Sequence, residues 1–212
     1  MKDKIKVAVI TEWHPINVIN FYKLFDSFDE FECYIQALEL IAEDKSNIKE
    51  YDVLVFYNLS LAQPEAETAR RVFSEKYLGS TGQGIFLLHH GILNYPDWPL
   101  WNRISGLESR EFKYYQDQTV QFNIADPNHP ITQDLSSWTM DDETYTLNEP
   151  NEDCNVLITT EHPLSLKSIA WTRQYKKSRV FCYASGHDNL AYSNENFREV
   201  VKKGILWAAN KI

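Results

Sequence analysis

The chain has 212 residues, 43% hydrophobic and 24% charged, enough for one α/β domain with a filled core and too few for two ordinary ones. A formal net charge of −9, with no basic cluster to neutralise phosphates, argues against nucleic-acid binding. No apolar run approaches membrane-spanning length, and Met1-Lys2-Asp3-Lys4-Ile5 enters a strand without the apolar stretch of a signal peptide. Three cysteines (Cys33, Cys154, Cys182) follow no metal or disulfide spacing, which suits reduced thiols in a cytoplasmic protein.

Lys6-Val7-Ala8-Val9-Ile10-Thr11 reads as a buried first strand, β-branched and uninterrupted. From Ile16 to Phe28, apolar residues at Val18, Ile19, Tyr22, Leu24 and Phe25 mark a helix with one face for the sheet. Phe31 to Ile35 is a second short strand, and a poorly patterned acidic connection runs from Glu43 to Glu50. Asp52 to Tyr57 is the third strand, ending at Asn58-Leu59-Ser60. Pro64, Glu65 and Glu67 open a helix that runs to about Tyr77, with Lys76 near its end as the helix dipole favours.

Gly79, Gly82 and Gly84 then lead into Gly84-Ile85-Phe86-Leu87-Leu88-His89-His90-Gly91. A short apolar run bounded by glycines predicts a strand buried on both faces, with two histidines at its carboxyl end. The order β-α-β, connection, β-α-β calls for a parallel sheet covered on both sides. Asn94 to Leu107 is a loop rich in Trp, Pro and Asn, with a short helix around Leu100 to Ile104. Thr119–Ile124, Val156–Thr159, Ser168–Trp171 and Arg179–Tyr183 are short strands, some of them antiparallel additions at one edge. Ser193 or Asn194 caps a last helix striped by Phe197, Val200, Val201, Ile205 and Leu206. Residues 1–212 read as a single domain.

Ligands of open α/β sheets bind beyond the carboxyl ends of the strands. This rule places His89 and His90 on the functional rim, with Thr11, Glu12, His14, Asn58 and Ser60 at the ends of the first and third strands. Aromatic residues are abundant (6 Trp, 12 Tyr, 11 Phe), and Trp13, Tyr95, Trp98 and Trp101 could stack on sugar faces or fill the core. His129 and His162 each precede a proline and read as turn residues.

Six segments occur together in the order of one family: the histidine strand, Asp126-Pro127-Asn128-His129-Pro130-Ile131-Thr132, Asp142-Glu143-Thr144-Tyr145, Ala170 to Tyr175, Arg179 to Tyr183 with Gly186-His187-Asp188, and the closing Gly204 to Ala209. From Lys4 to Asn210 the chain resembles the ThuA-like, or trehalose-utilisation, proteins. The resemblance implies a flavodoxin-like central parallel sheet with helices on both faces and added antiparallel edge strands, related to the class I glutamine amidotransferases. It also implies a setting in bacterial sugar metabolism.

Amidotransferases of that class carry a cysteine nucleophile in the pattern Gly-x-Cys-x-Gly. His89 stands where that thiol would be, so cysteine-dependent glutaminase chemistry is not expected. The resemblance places His187 at the amidotransferase histidine and gives Glu143 a site role. His89, His187 and Glu143 are therefore the expected catalytic groups, working as acids and bases or as ligands of Zn²⁺ or another divalent ion such as Mn²⁺. Glu12, His14, Asn58, His90, Trp98 and Asp188 are the expected substrate-binding or supporting residues; for Asp188 the choice is between orienting an imidazole and capping the following turn. Only one of His89 and His90 is expected to reach the pocket. His89 is chosen, as a rim residue whose loss costs little stability. The expected partner is a small sugar or keto-sugar, with a homodimer favoured by the aromatic surface. A sugar-binding or partner-binding domain without catalysis is the competing reading.

Overall fold

The uninterrupted apolar runs of the first half become interior strands of the sheet because both of their faces are covered. The computed structural model describes residues 4–43 and 47–212, so residues 44–46 of the expected acidic connection lie outside the described residues. Nine strands follow in chain order: β1 (Ile5–Ile10), β2 (Phe31–Gln36), β3 (Val53–Phe56), β4 (Gly84–Leu88), β5 (Lys113–Ile124), β6 (Trp138–Thr146), β7 (Asn155–Thr159), β8 (Ser168–Tyr175) and β9 (Ser178–Tyr183). The helices are α1 (Val18–Asp26), α2 (Leu38–Glu43), α3 (Ala69–Val72), α4 (Pro99–Ser105), α5 (Asn189–Ser193) and α6 (Glu195–Ala208).

The strands form one sheet in the order β2-β1-β3-β4-β9-β8-β7-β5-β6. β2, β1, β3, β4 and β9 are parallel neighbours, which is the flavodoxin-like order 2-1-3-4-5 with β9 in fifth place. β8, β7, β5 and β6 extend that sheet as antiparallel strands. β3 and β4 are buried along their whole length, as their lack of alternation requires. Gly204 of α6 lies against Phe181 of β9, and a Cβ there would stand 2.4 Å from that ring. No helix among the described residues is long and apolar enough to cross a membrane.

Four local expectations need correction. The helix expected from Pro64 begins at Ala69, because Glu67 adopts a left-handed backbone (φ 68°) and Thr68 caps the helix through its hydroxyl. α2 and α5 are additional short helices, the latter capped by the Asp188 carboxylate. β5 begins six residues earlier than Thr119, at Lys113. β6 is a full strand where none was expected, and Asp142 and Glu143 lie inside it. Its sequence, Trp138-Thr139-Met140-Asp141-Asp142-Glu143-Thr144-Tyr145-Thr146, is too polar to signal a strand by itself and is held by pairing with β5.

Candidate active site

β4 and β9 are parallel neighbours, so the residues leaving their carboxyl ends meet. After Leu88 the chain turns sharply: His89 takes a left-handed backbone (φ 51°) and opens a 3₁₀ turn through Leu93. Gly91 makes that turn possible, since a Cβ at this position would lie 2.0 Å from the Phe56 carbonyl oxygen. His89 is thereby aimed at the segment following β9, and its Nε2 lies 3.3 Å from Nδ1 of His187.

Glu143 arrives from β6. Its Oε1 is 3.6 Å from His89 Nε2 and 3.6 Å from His187 Nδ1. Among the described residues, this trio is the group of His, Cys, Asp or Glu side chains whose ligand atoms converge as a metal site would require. Tyr145, two residues along the same strand, brings its hydroxyl to 2.7 Å from His89 Nε2. His89 is fully buried, while the His187 side chain keeps 22% of its surface exposed. The solvent-facing member of the cluster is therefore His187. His89 is a buried residue rather than the loosely packed rim residue expected from the sequence.

Asp142 holds the turn that carries His187. Its buried carboxylate accepts hydrogen bonds from the Ser185 hydroxyl, from the backbone N–H of Gly186 at 2.8 Å and His187 at 3.0 Å, and from the N–H of Glu143 at 2.9 Å. One carboxylate thus fixes both the His187 turn and the start of Glu143. Beneath it, the Tyr57 hydroxyl lies 2.7 Å from that of Tyr192 and donates to the Gly186 carbonyl at 2.7 Å. Tyr57, Tyr192 and Ser185 carry no sequence signal of a site, whereas Tyr145 lies in the family segment that also holds Asp142 and Glu143.

The electrostatics follow from burial and from crowding of imidazoles. Burial opposes ionisation of Glu143, but the His89 hydrogen bond and the charges of His89 and His187 outweigh it and hold the carboxyl below its ordinary range. Burial, reinforced by Glu143, raises the Tyr145 phenol well above its usual value, so it keeps its proton. His90 is pushed well below the ordinary imidazole range by burial and then by His89, His14 and His187. His14 is lowered by the same kinds of neighbours.

The remaining expected residues divide. His14 stands over His90, ring centroids 4.1 Å apart, and 5.8 Å from His187, so it borders the cluster. His90 packs beneath, against Tyr57 and His89, with neither ring nitrogen hydrogen-bonded. Glu12 is tied to Arg70 at 2.7 Å and to the Leu38 N–H, and buried Asn58 accepts from Asn94 at 3.0 Å. Trp98 is enclosed against Tyr95 and under the Arg71 guanidinium, away from the histidines. Asp188 accepts from the Leu190 N–H at 2.8 Å, the capping alternative, and has no imidazole partner. His129 and His162 each accept a backbone N–H two residues on, as turn residues do. Burial raises the thiols of Cys33 to about 12 and Cys154 to about 11, and holds Cys182 well above its usual value.

The model of the ThuA family, described as trehalose utilisation, matches residues 9–208. No curated protein matches the chain significantly. Among solved structures, a ThuA-like protein from Parabacteroides merdae has a TM-score of 0.78 at 19% identity, covering 98% of this chain and 90% of that one. A ThuA-like protein from Bacteroides uniformis gives 0.74 at 19% identity, over 98% and 93%. PurLQS from Thermotoga maritima gives 0.60 at 12% identity, over 97% and 99%. These likenesses are ones of fold. With nearly its whole length matched, on an amidotransferase-like sheet that carries a histidine at the end of β4, the chain belongs to the ThuA, or trehalose-utilisation, family.

Proposed function

We propose that the protein is an enzyme of bacterial carbohydrate metabolism, acting on a sugar or keto-sugar derivative through His89, His187 and Glu143. The carrying observation is the triangle of His89 Nε2, His187 Nδ1 and Glu143 Oε1, with edges of 3.3, 3.6 and 3.6 Å, at the carboxyl ends of neighbouring strands. Proton transfer next to a carbonyl, as in isomerisation or elimination, needs an ionised base and a protonated donor side by side. Glu143 is held ionised at neutral pH and Tyr145 is held protonated, which suits that division. His187, the accessible member, is placed to meet the substrate oxygen.

The triangle also fits a divalent ion. Tetrahedral ligands at about 2.0–2.1 Å from Zn²⁺ lie roughly 3.3–3.4 Å from one another. A bound ion of this kind would polarise a substrate carbonyl. The protein's own residues would then hold the ion (His89, His187, Glu143) and supply the phenolic proton (Tyr145). The family's description as trehalose utilisation supports the sugar class. The raised thiols, none of them among the residues around His89, support chemistry without a cysteine nucleophile.

Metal content and turnover of keto-sugars, followed by elemental analysis and NMR, test this reading. Glu143→Gln and His187→Ala should each lower turnover by about 10²-fold or more. Cys33→Ser, Cys154→Ser and Cys182→Ser should retain it. Tight sugar binding with no metal and no product would instead favour a non-catalytic binding domain, and thiol-dependent glutamine hydrolysis would refute the assignment of His89.

A further inference from the structure

The loop between β1 and α1 is held at both ends and twisted in the middle. At one end the Glu12 carbonyl accepts the Leu59 N–H at 3.2 Å, and its carboxylate binds Arg70 at 2.7 Å and the Leu38 N–H at 3.2 Å. At the other, Asn17 caps α1 by accepting the Asn20 N–H at 3.1 Å. Between them Trp13 takes a left-handed backbone (φ 67°), which a bulky residue adopts only against strain. Its side chain is 72% exposed, so its own packing does not account for that conformation. What the twist achieves is the placement of the next residue, His14, against the histidines of the site.

His14 packs on His90 and meets the His187 ring edge-on, with centroids 5.8 Å apart. Its Nδ1 is enclosed, and no group among the described residues bonds to it. A buried polar atom without a partner is uncommon in a native fold, and such an atom beside a site is one a substrate can use. His89 and Glu143 are buried, whereas His14 and His187 are both partly exposed. Two imidazoles therefore flank the opening in front of the buried Glu143 carboxylate. Each can give a proton from one ring nitrogen and take one at the other. One buried carboxylate with two imidazoles at the opening suits a substrate that carries two neighbouring oxygens, as an α-hydroxyketone does.

We infer that His14 is a further catalytic residue, serving the second of two adjacent substrate oxygens while His187 serves the first. This rests on the sugar reading above and narrows it to isomerisation of a ketose. Glu143 draws a proton from the carbon beside the carbonyl as His187 gives one to the carbonyl oxygen, which leaves an enediol. The enediol collapses when His14 takes the proton of the other hydroxyl and Glu143 returns its own to the former carbonyl carbon. The carbonyl has then moved one carbon along. The proton gained by His14 replaces, through solvent, the one given by His187, and no oxidant or co-reactant is needed.

The test uses the full chain with fructose, tagatose, sorbose and ribulose in D₂O, followed by NMR. With the parent, at least one of them should form its isomer and take up deuterium at the carbon beside the carbonyl. His14→Gln should lower isomer formation by about 10²-fold or more, while deuterium uptake into the recovered ketose stays within about threefold of the parent. The enediol still forms in that variant and returns to the ketose it came from. Glu143→Gln should lose both signals, because no enediol forms. Thermal melts of His14→Gln should match the parent, since the replaced ring is partly exposed and its Nδ1 bonds to nothing in the fold. Retention of both signals in His14→Gln, or loss of both together, would overturn the assignment and leave the sugar reading standing. So would a parent that exchanges deuterium without forming an isomer. A parent that does neither with all four sugars would overturn both.

Discussion

His89 combines two demands that seldom coincide. Its side chain is packed among Tyr57, His90, Tyr145 and His187, and its backbone is left-handed. Among non-glycine residues, asparagine tolerates that backbone best, while a β-branched residue suffers most from it. His89→Asn should therefore fold and lose turnover. His89→Val should be less stable than His89→Asn by about 1–2 kcal/mol, read from urea midpoints. Equal stability of the two variants would show that the turn imposes no such constraint. An alanine here would leave a buried cavity, so it separates function from stability less cleanly.

At the level of elements, the site depends on β6 reaching the carboxyl ends of β4 and β9. Asp142 makes that junction with its four accepted hydrogen bonds. Asp142→Ala would leave the buried N–H of Gly186 and the part-buried N–H of His187 unpaired, at a cost of about 3 kcal/mol or more. In a chain of this size that corresponds to a melting temperature lower by roughly 6–12 °C. Metal or sugar affinity should fall with it, because His187 loses its fixed position; a variant that melts like the parent would remove Asp142 from this role. Gly91→Ala tests the other turn. Its Cβ would meet the Phe56 carbonyl, part of the backbone of β3, so neighbouring side chains cannot relieve the clash. Thermal melts should place this variant among the severely destabilised ones, at about 3 kcal/mol or more.

Across the whole molecule, histidines give stability a pH dependence of defined sign. Burial lowers the pKa of His129 in the fold, against the opposing charge of Asp126. An unfolded histidine takes up its proton near pH 6.5. Between the folded value and about 6.5 the unfolded chain binds more protons, so stability falls as the pH drops through that window and levels off below it. His14 and His90 act in the same direction. His129→Asn, which can still accept the Ile131 N–H, should reduce the loss of stability between pH 7 and pH 5 relative to the parent. Unfolding curves across that range would show parallel pH profiles if His129 contributes nothing.

The sequence by itself determined the parallel half of the sheet, because uninterrupted runs such as Val53 to Phe56 and Gly84 to Leu88 can be satisfied only by burial on both faces. It also placed His89 and His187 at strand ends and left no cysteine where a nucleophile would stand. The approach of these two histidines, 98 residues apart, needed the pairing of β4 with β9. Tertiary structure alone decided that Tyr145 joins the expected Glu143 in the cluster, that Asp142 anchors the His187 turn, that Glu12, Asn58 and Asp188 spend their polar groups on neighbours, and that Trp98 packs under Arg71. The reason is physical. Periodicity records which face of a segment is buried, a local property, whereas β6 is a polar strand whose burial comes from distant partners that leave no period in its own residues.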